Sequence, residues 1–210
     1  MLIERIYWYI DTNDGQDAWL ASICAGLPTP WTHEDIGGRK DQFQFACVPL
    51  VGDGTITMWF VPPISSQFSK FGLMMRETRA PDAAHVFFLL APRFHETGIE
   101  RPGWHASLLT RSSTGVATTL AGQSTDLSAA YAAQVRLTQL CYLKLERSRN
   151  LFTASLSPDG RAWSVVATAK LSFQTKLLAG LSASSCRAKV TTTVRFDHVT
   201  VVPKNARELK

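Results

Sequence analysis

Segments of strand length recur along the whole sequence, and almost none carries the 3.6-residue periodicity of an amphipathic helix. Each segment is short, rich in β-branched and aromatic residues, and bounded by Gly, Pro, Asn or Asp. This pattern is typical of β-strands joined by turns. Roughly ten or more such segments in one chain predict a single all-β domain, built as a two-sheet antiparallel jelly-roll sandwich.

One stretch, Phe71 to Thr78, is predicted to be the central strand. Its sequence, Phe-Gly-Leu-Met-Met-Arg-Glu-Thr, places apolar side chains in a sandwich core and ends in charge. The apolar run from Val86 to Ala91 has strand length and predicts a buried neighbour. The segments before and after the central strand are therefore expected to pair with it.

Two Asp-Gly pairs predict tight hairpins, because Asp-Gly supplies the positive φ angles that such turns need. Asp53-Gly54 lies between two strand-like runs, and Asp159-Gly160 lies within Ser157 to Trp163. The second pattern resembles the Asp-box turn of propeller enzymes with one residue missing. It occurs once, so the sequence does not predict a propeller repeat.

Composition and charge exclude several classes of protein. Apolar residues make up 45% and charged residues 19% of the chain, which is ordinary for a folded domain. No apolar run reaches the roughly 18 residues of a membrane-spanning helix. The net charge of +5 is scattered without a dense basic run, which argues against nucleic-acid binding and favours a solubilising surface or attraction to an acidic glycan.

The N-terminus and the cysteines leave the compartment open. Met1-Leu2-Ile3 is followed at once by charge rather than by a signal-peptide pattern, so we expect either an intracellular protein or a mature domain. The four cysteines show no Cys-x-x-Cys spacing, which argues against zinc and redox motifs. Cys47 and Cys141 are predicted core thiols. Together with Cys24 and Cys186 they allow three disulfide pairings, all of which remain open.

Four segments together resemble a known family. They are Leu27 to Gly37, Gly52 to Thr57, Phe71 to Thr78, and Ser157 to Trp163 taken with Phe196 to Val199. Their order and spacing are similar to the bacterial concanavalin A-like jelly-roll modules of the DUF1349/LamG-like type. The Gly-Leu-Met-x-Arg-Glu piece is the most specific part.

The resemblance implies a domain organisation as well as a fold. It covers residues 27–202, which would form the sandwich. Residues 1–26 would be an extra N-terminal segment that adds a strand, and residues 203–210 a charged tail.

The resemblance also implies a binding role. Such modules are accessory domains of secreted bacterial proteins, and a fungal branch of similar fold is a cytosolic regulator of enolase. We therefore predict a non-catalytic, secreted glycan-binding module whose partner is a polysaccharide or oligosaccharide. The alternative is a protein-interaction, adhesion or cytosolic regulatory domain.

Candidate ligand-binding residues are aromatic and charged side chains at strand positions and strand ends. A pyranose ring pairs an apolar face with hydroxyl groups, so its site needs an exposed aromatic ring and hydrogen-bonding neighbours. Trp59 is out of phase with the apolar set of its strand, and Trp104 opens a strand after an irregular loop. For each tryptophan, core packing is the alternative. The candidates are Trp59, Arg76, Glu77, Trp104, His105 and Arg111.

Catalysis is not predicted, and the sequence requires no cofactor. The Glu-x-Asp-x-x-Glu pattern of laminarinase-type enzymes is absent, as is a Gly-x-Ser-x-Gly elbow. The resemblance implies a structural calcium ion held by Asp35 and Asp197. The alternative is that Asp197 caps a turn or pairs with an arginine.

Overall fold

The chain forms a sandwich of two antiparallel β-sheets. The structure, a computed structural model, describes residues 8–11, 38–41, 43–61, 69–93, 103–122, 125–126, 141–184 and 193–204. Within these ranges it contains thirteen β-strands and no α-helix. The predicted all-β, two-sheet fold is confirmed.

The first sheet has six strands and contains both the first and the last of the described strands. In spatial order it contains β1 (Trp8–Asp11), β13 (Thr193–Pro203), β3 (Gly54–Val61), β9 (Cys141–Ser148), β10 (Leu151–Ser157) and β11 (Ser164–Lys170). Because β1 pairs with β13 in antiparallel register, the segment before residue 27 contributes an edge strand.

The second sheet has seven strands. In spatial order it contains β2 (Gln44–Val51), β12 (Lys176–Ser184), β4 (Lys70–Arg76), β5 (His85–Arg93), β6 (Gly103–Arg111) and β7 (Thr119–Leu120), and β8 (Thr125–Asp126) also pairs with β6. The predicted central strand is β4, which lies between β12 and β5 and is buried on both faces. The following segment, β5, pairs with it as predicted, but the prediction is wrong for the preceding strand β3, which belongs to the first sheet.

The main core lies between the two sheets and follows the alternation of each strand. Phe71, Leu73 and Met75 point inward from β4, and Ile56, Met58 and Phe60 point inward from β3. The rings of Phe60 and Phe71 meet across the sandwich, with their centroids 4.8 Å apart. A second apolar cluster covers the outer face of the second sheet and consists of Met74, Phe87, Leu89 and Ala91.

The hairpin predicted at Asp53-Gly54 is wrong. The strands on its two sides belong to different sheets, so the segment crosses the sandwich. The N–H of Gly52, which has φ of 75°, donates to Thr175 O, and Asp53 O accepts from the N–H of Lys204. The chain does turn at these residues, but β3 has β13 and β9 as neighbours, which leaves no edge on which β2 could pair.

The hairpin predicted at Asp159-Gly160 is confirmed, because β10 and β11 form an antiparallel pair. Asp159 Oδ1 accepts the N–H groups of Arg161 and Ala162 at 2.8 and 2.9 Å, and Ser157 Oγ accepts that of Gly160 at 2.8 Å. Bonds to these backbone N–H groups lower the pKa of Asp159, and they explain why Ser and Asp stand at these positions.

Cys47 is buried in the second sheet, as expected of a core thiol. The side chains of the other three cysteines lie outside the described residues. In the part of the chain that the structure describes, we find no helix of sufficient length and apolarity to cross a membrane. β13 ends at Pro203, and residues 205–210 lie outside the described ranges.

Candidate functional site

Four ionisable side chains meet on the outer face of the second sheet, away from the other sheet. Arg76, His85 and Arg111 are register neighbours on β4, β5 and β6. Asp41, in the segment before β2, completes the group, which we call the Asp41 cluster. All four side chains are at most 2% exposed.

Asp41 is the centre of this cluster. Arg111 holds its carboxylate with two parallel bonds, Nη2 to Oδ1 at 2.7 Å and Nη1 to Oδ2 at 2.8 Å. Arg76 Nη1 and His85 Nδ1 lie 3.5 and 3.4 Å from Oδ2. The paired bonds from Arg111 are the strong, directional form of carboxylate recognition.

Main-chain carbonyls accept further hydrogen bonds from both arginines. Arg76 donates to Thr78 O and Ala80 O. Its guanidinium also lies 5.2 and 5.8 Å from the ring centroids of Phe43 and Phe45. Arg111 donates to four carbonyls, those of Gly38, Pro81, Ala83 and Val116. The cluster therefore fastens the segment before β2 to the loops that follow β4 and β6.

Burial and charge set the protonation states of the cluster. Burial alone would raise the pKa of Asp41, but the contact with His85 and the hydrogen bonds and charge of Arg111 lower it overall. Burial lowers the pKa of Arg76 to about 10, against the charge of Asp41. Burial also lowers the pKa of His85, and neither ring nitrogen has a well-directed hydrogen bond among the described residues. The imidazole is therefore neutral at neutral pH.

Acidification is expected to destabilise the fold through His85 and then Asp41. Both pKa values are lowered in the folded state, so the unfolded chain binds protons first. The free energy of unfolding should fall once the pH drops below the ordinary histidine value of 6.5, and again below 3.8. Urea unfolding measured across this pH range shows whether the free energy of unfolding falls as the pH falls. His85→Gln should flatten the first decline, and an unchanged slope would contradict the assignment.

Arg76 and Arg111, which the sequence placed among the ligand-binding candidates, are thus engaged inside the protein. The chemistry expected of them, recognition of an acidic group, is directed at the chain's own Asp41. Glu77 lies at the end of β4, where its Oε1 accepts the N–H of Gln174 at 2.8 Å. These placements support a structural use of all three side chains.

The two tryptophan candidates lie on different sheets. Trp104 packs against the main core, with its ring edge-on to Phe60 at 5.5 Å and to Phe71 at 5.7 Å. His105, the next residue, is partly buried on β6 in register with Ala91 and Asp126. Trp104 therefore makes the contacts expected of core packing and is partly buried.

Trp59 lies on the outer face of the first sheet, between the inward-facing Met58 and Phe60. Its register partner on β9 is Tyr142, and the two rings are nearly parallel, with centroids 5.9 Å apart and planes at 11°. The His198 ring meets Trp59 edge-on at 5.0 Å. Both Trp59 and Tyr142 are partly exposed, and His198 is 52% exposed.

The row continues past Tyr142 to the β10–β11 turn. Gly160 lies against Tyr142, since a Cβ there would be 3.4 Å from the ring. Lys144 follows Tyr142 on the same face of β9, and its Nζ lies 4.1 Å from the centroid of the Trp163 ring. We call Trp59, Tyr142, Lys144, Trp163 and His198 the aromatic platform.

Sequence reasoning missed four members of this platform, although a signal for two of them was present. Tyr142 and Lys144 alternate with Leu143 and Leu145, which are fully buried. That phase alone puts the tyrosine and the lysine on an outer face. Only the register between β3 and β9 places Tyr142 beside Trp59.

His198 reaches the platform through an irregularity in β13. The register between β13 and β3 shifts between Asp197 and Thr200, and His198 has a φ of 50°. Asp197 Oδ1 accepts the N–H of His198 at 2.7 Å and lies 3.2 Å from its Nδ1. A strained backbone at a bulge is typical of places where a strand re-aims a side chain.

Of the two residues predicted to hold calcium, the structure describes one. Asp35 lies outside the described residues, and Asp197 makes the contacts just given with His198. Among the residues that the structure describes, no three His, Cys, Asp or Glu side chains converge so as to hold a metal ion. A site formed by Asp35 and Asp197 stays a prediction.

Comparison with known proteins places the fold. No family model and no curated protein matches the chain. A Saccharomyces cerevisiae protein described as functionally unknown superposes with a TM-score of 0.57, at 12% identity over 92% of this chain and 95% of that one. A variant of the GH43 protein BlXynB from Bacillus licheniformis gives 0.52, at 10% identity over 72% of this chain.

This chain spans only 27% of the GH43 protein's length. The carbohydrate binding module CBM66 from Bacillus subtilis gives a TM-score of 0.46, at 15% identity over 82% of this chain and 92% of that one. At these identities, the likeness to the Saccharomyces cerevisiae and GH43 proteins shows a shared fold alone. With the two antiparallel sheets, it fits a concanavalin A-like sandwich.

Proposed function

We propose that this domain binds glycans without catalysing a reaction, and that it does so on the aromatic platform. The observation that carries this proposal is the parallel, partly exposed pair of Trp59 and Tyr142 on an outer sheet face. Rings held by two neighbouring strands form a fixed surface, so binding a sugar would cost little ordering of side chains.

Polar groups lie close to these rings. One step further along the strands, the hydroxyls of Thr57 and Thr200 are hydrogen-bonded to each other. Lys144 is in register with Thr57 on the neighbouring strand. Stacking rings beside hydroxyl and ammonium groups match a pyranose, which has an apolar face and a rim of hydroxyls.

The same proposal includes the compartment of the protein and its specific family. A glycan-binding role suits a secreted accessory module of a larger protein, and the DUF1349/LamG-like resemblance agrees with that role. A cytosolic regulatory domain is the alternative compartment and partner. Aromatic residues are also enriched in protein interfaces, so a protein partner would be expected to use the same platform.

Truncating either platform ring should weaken glycan binding. We expect Trp59→Ala and Tyr142→Ala each to lower affinity roughly 10- to 100-fold, the usual effect of removing a central aromatic contact. A glycan array identifies the ligand, and calorimetry on the strongest hit measures the loss. Thermal unfolding of each variant shows whether the fold is retained.

Two control variants make this test specific. Trp104→Phe keeps an aromatic ring at the core margin, and Val165→Ala changes an apolar side chain that is 62% exposed on the same sheet. Neither should alter binding. A folded protein that binds no glycan on the array would overturn the proposal and direct the search to protein partners.

The calcium prediction is tested in the same assay. Repeating the titration with calcium and with a chelator, and with Asp197→Asn, separates a metal requirement from direct stacking. Loss of binding with chelator and with Asp197→Asn would support a calcium site, whereas no change in either would remove it from the proposal.

A further inference from the structure

Lys144 presents an unpaired positive charge at the platform. Its ammonium lies over the Trp163 ring, and no carboxylate among the described residues forms an ion pair with it. A lysine held over an indole keeps its charge available, because the ring attracts the cation without neutralising it.

The neighbouring carboxylates are each engaged elsewhere. Glu146, the next outward-facing residue on β9, lies 3.6 Å from Lys204 Nζ. Asp197 is bonded to His198, and Asp159 accepts the backbone N–H groups of its own turn. Among the described residues, Lys144 is therefore a positive charge beside Tyr142 with which none of these carboxylates forms an ion pair.

The position of this charge matches a sugar acid lying on the rings. Tyr142 and Lys144 are two residues apart on one strand face, so their Cα atoms are about 7 Å apart. A ring stacked at Trp59 and Tyr142 would thus have its substituents within reach of the lysine side chain. The Thr57 and Thr200 hydroxyls lie on the same side of the rings.

We propose that the platform selects glycans that carry carboxylate groups, with the uronate carboxylate bound by Lys144. This inference rests on the proposed function and names its ligand class. The carboxylate takes the ammonium as an ion-pair partner, which the indole does not provide, while the sugar ring stacks on Trp59 and Tyr142. The net charge of +5 favours the approach of an acidic polymer.

The test compares acidic polysaccharides with their neutral counterparts. Polygalacturonate, alginate and hyaluronan are each titrated beside a carboxyl-reduced preparation of the same polymer, at low and high salt. We expect at least one acidic polymer to bind more tightly than its reduced form, with an affinity that falls as salt rises. Lys144→Gln should weaken that binding about tenfold or more and weaken binding of the reduced form much less.

Lys170→Gln is the matched control, because it removes one exposed lysine from the edge strand β11 of the same sheet. If both lysine variants weaken binding equally, the effect is general charge and the inference is wrong. It is also wrong if the reduced polymers, or neutral glycans on the array, bind as tightly as the acidic ones, although glycan binding would then stand. If no glycan binds to the folded protein, the proposed function itself fails.

Discussion

Replacing Asp41 with alanine is expected to lower the free energy of unfolding by about 3–5 kcal/mol, the usual cost of removing one partner from a buried ion pair. The carboxylate is fully buried, and Arg111 and Arg76 both lie against it. Without it, two guanidinium groups remain in the interior with no opposite charge in the cluster.

The size of this effect follows from the environment of each arginine. Arg111 keeps its main-chain carbonyl partners in the variant, whereas its two bonds to the carboxylate are lost. Burial already lowers the pKa of Arg76, and the charge of Asp41 is the largest influence that opposes this. The substitution therefore penalises both cations at once.

Chemical denaturation of matched variants tests this account. Asp41→Asn should cost nearly as much as alanine, because an amide lacks the charge and turns one acceptor into a donor. Glu146→Gln breaks an exposed pair with Lys204 at 3.6 Å and should cost no more than about 1 kcal/mol. Equal effects from the buried and the exposed substitutions would contradict the role given to the cluster.

Rescue by a small carboxylate adds a sharper readout. Formate should restore part of the stability of Asp41→Ala, because it can occupy the space between the two arginines that the side chain leaves. Chloride at the same concentration controls for ionic strength and should restore less. Failure of formate to distinguish the variant from the wild type would mean that the cluster closes when Asp41 is removed.

The sequence predicted the fold because strand signals are local. Alternation along β3 and the buried pattern of β4 depend only on neighbours two residues apart. The error at Asp53-Gly54 is of another kind, since turn chemistry fixes the path of the backbone at Gly52 but not the strands that flank it. The neighbours of β3 are instead β13 and β9, which lie far away in the sequence.

Site residues were predictable only where the alternation along a strand decides which face of the sheet a side chain occupies. Alternation puts Trp59 on the opposite face of β3 from Met58 and Phe60, and the structure packs those two in the core and leaves Trp59 on the outer face. For Arg111, the acidic partner is 70 residues away in a segment with no strand pattern. Nothing local marks Asp41 as that partner, so a buried, structural arginine looked like a ligand-binding one.

Gly72, in the middle of β4, carries the second large expected effect. Its φ is +153°, and a Cβ at this position would lie 2.0 Å from Phe88 O on the neighbouring strand. A main-chain carbonyl inside a buried sheet cannot move aside without breaking the ladder between β4 and β5. We expect Gly72→Ala to cost more than about 4 kcal/mol or to prevent folding.

Two other glycines separate the cost of an unfavourable backbone conformation from the cost of steric contact between strands. Gly115 has φ of +77° with open space around it, so Gly115→Ala should lose only the conformational term, about 1 kcal/mol. At Gly180 the added Cβ would lie 2.0 Å from Ala46 O, so Gly180→Ala tests the close approach of neighbouring strands. Denaturation midpoints and soluble yield rank the three variants.

The expected order is a small loss for Gly115→Ala and large losses for Gly180→Ala and Gly72→Ala. This order means that contact between strands, rather than backbone conformation, requires glycine in the second sheet. A Gly72→Ala protein as stable as Gly115→Ala would show that β5 can shift away from β4. Such a shift would also move His85, which lies on β5 beside Arg76, and would therefore change the geometry of the Asp41 cluster.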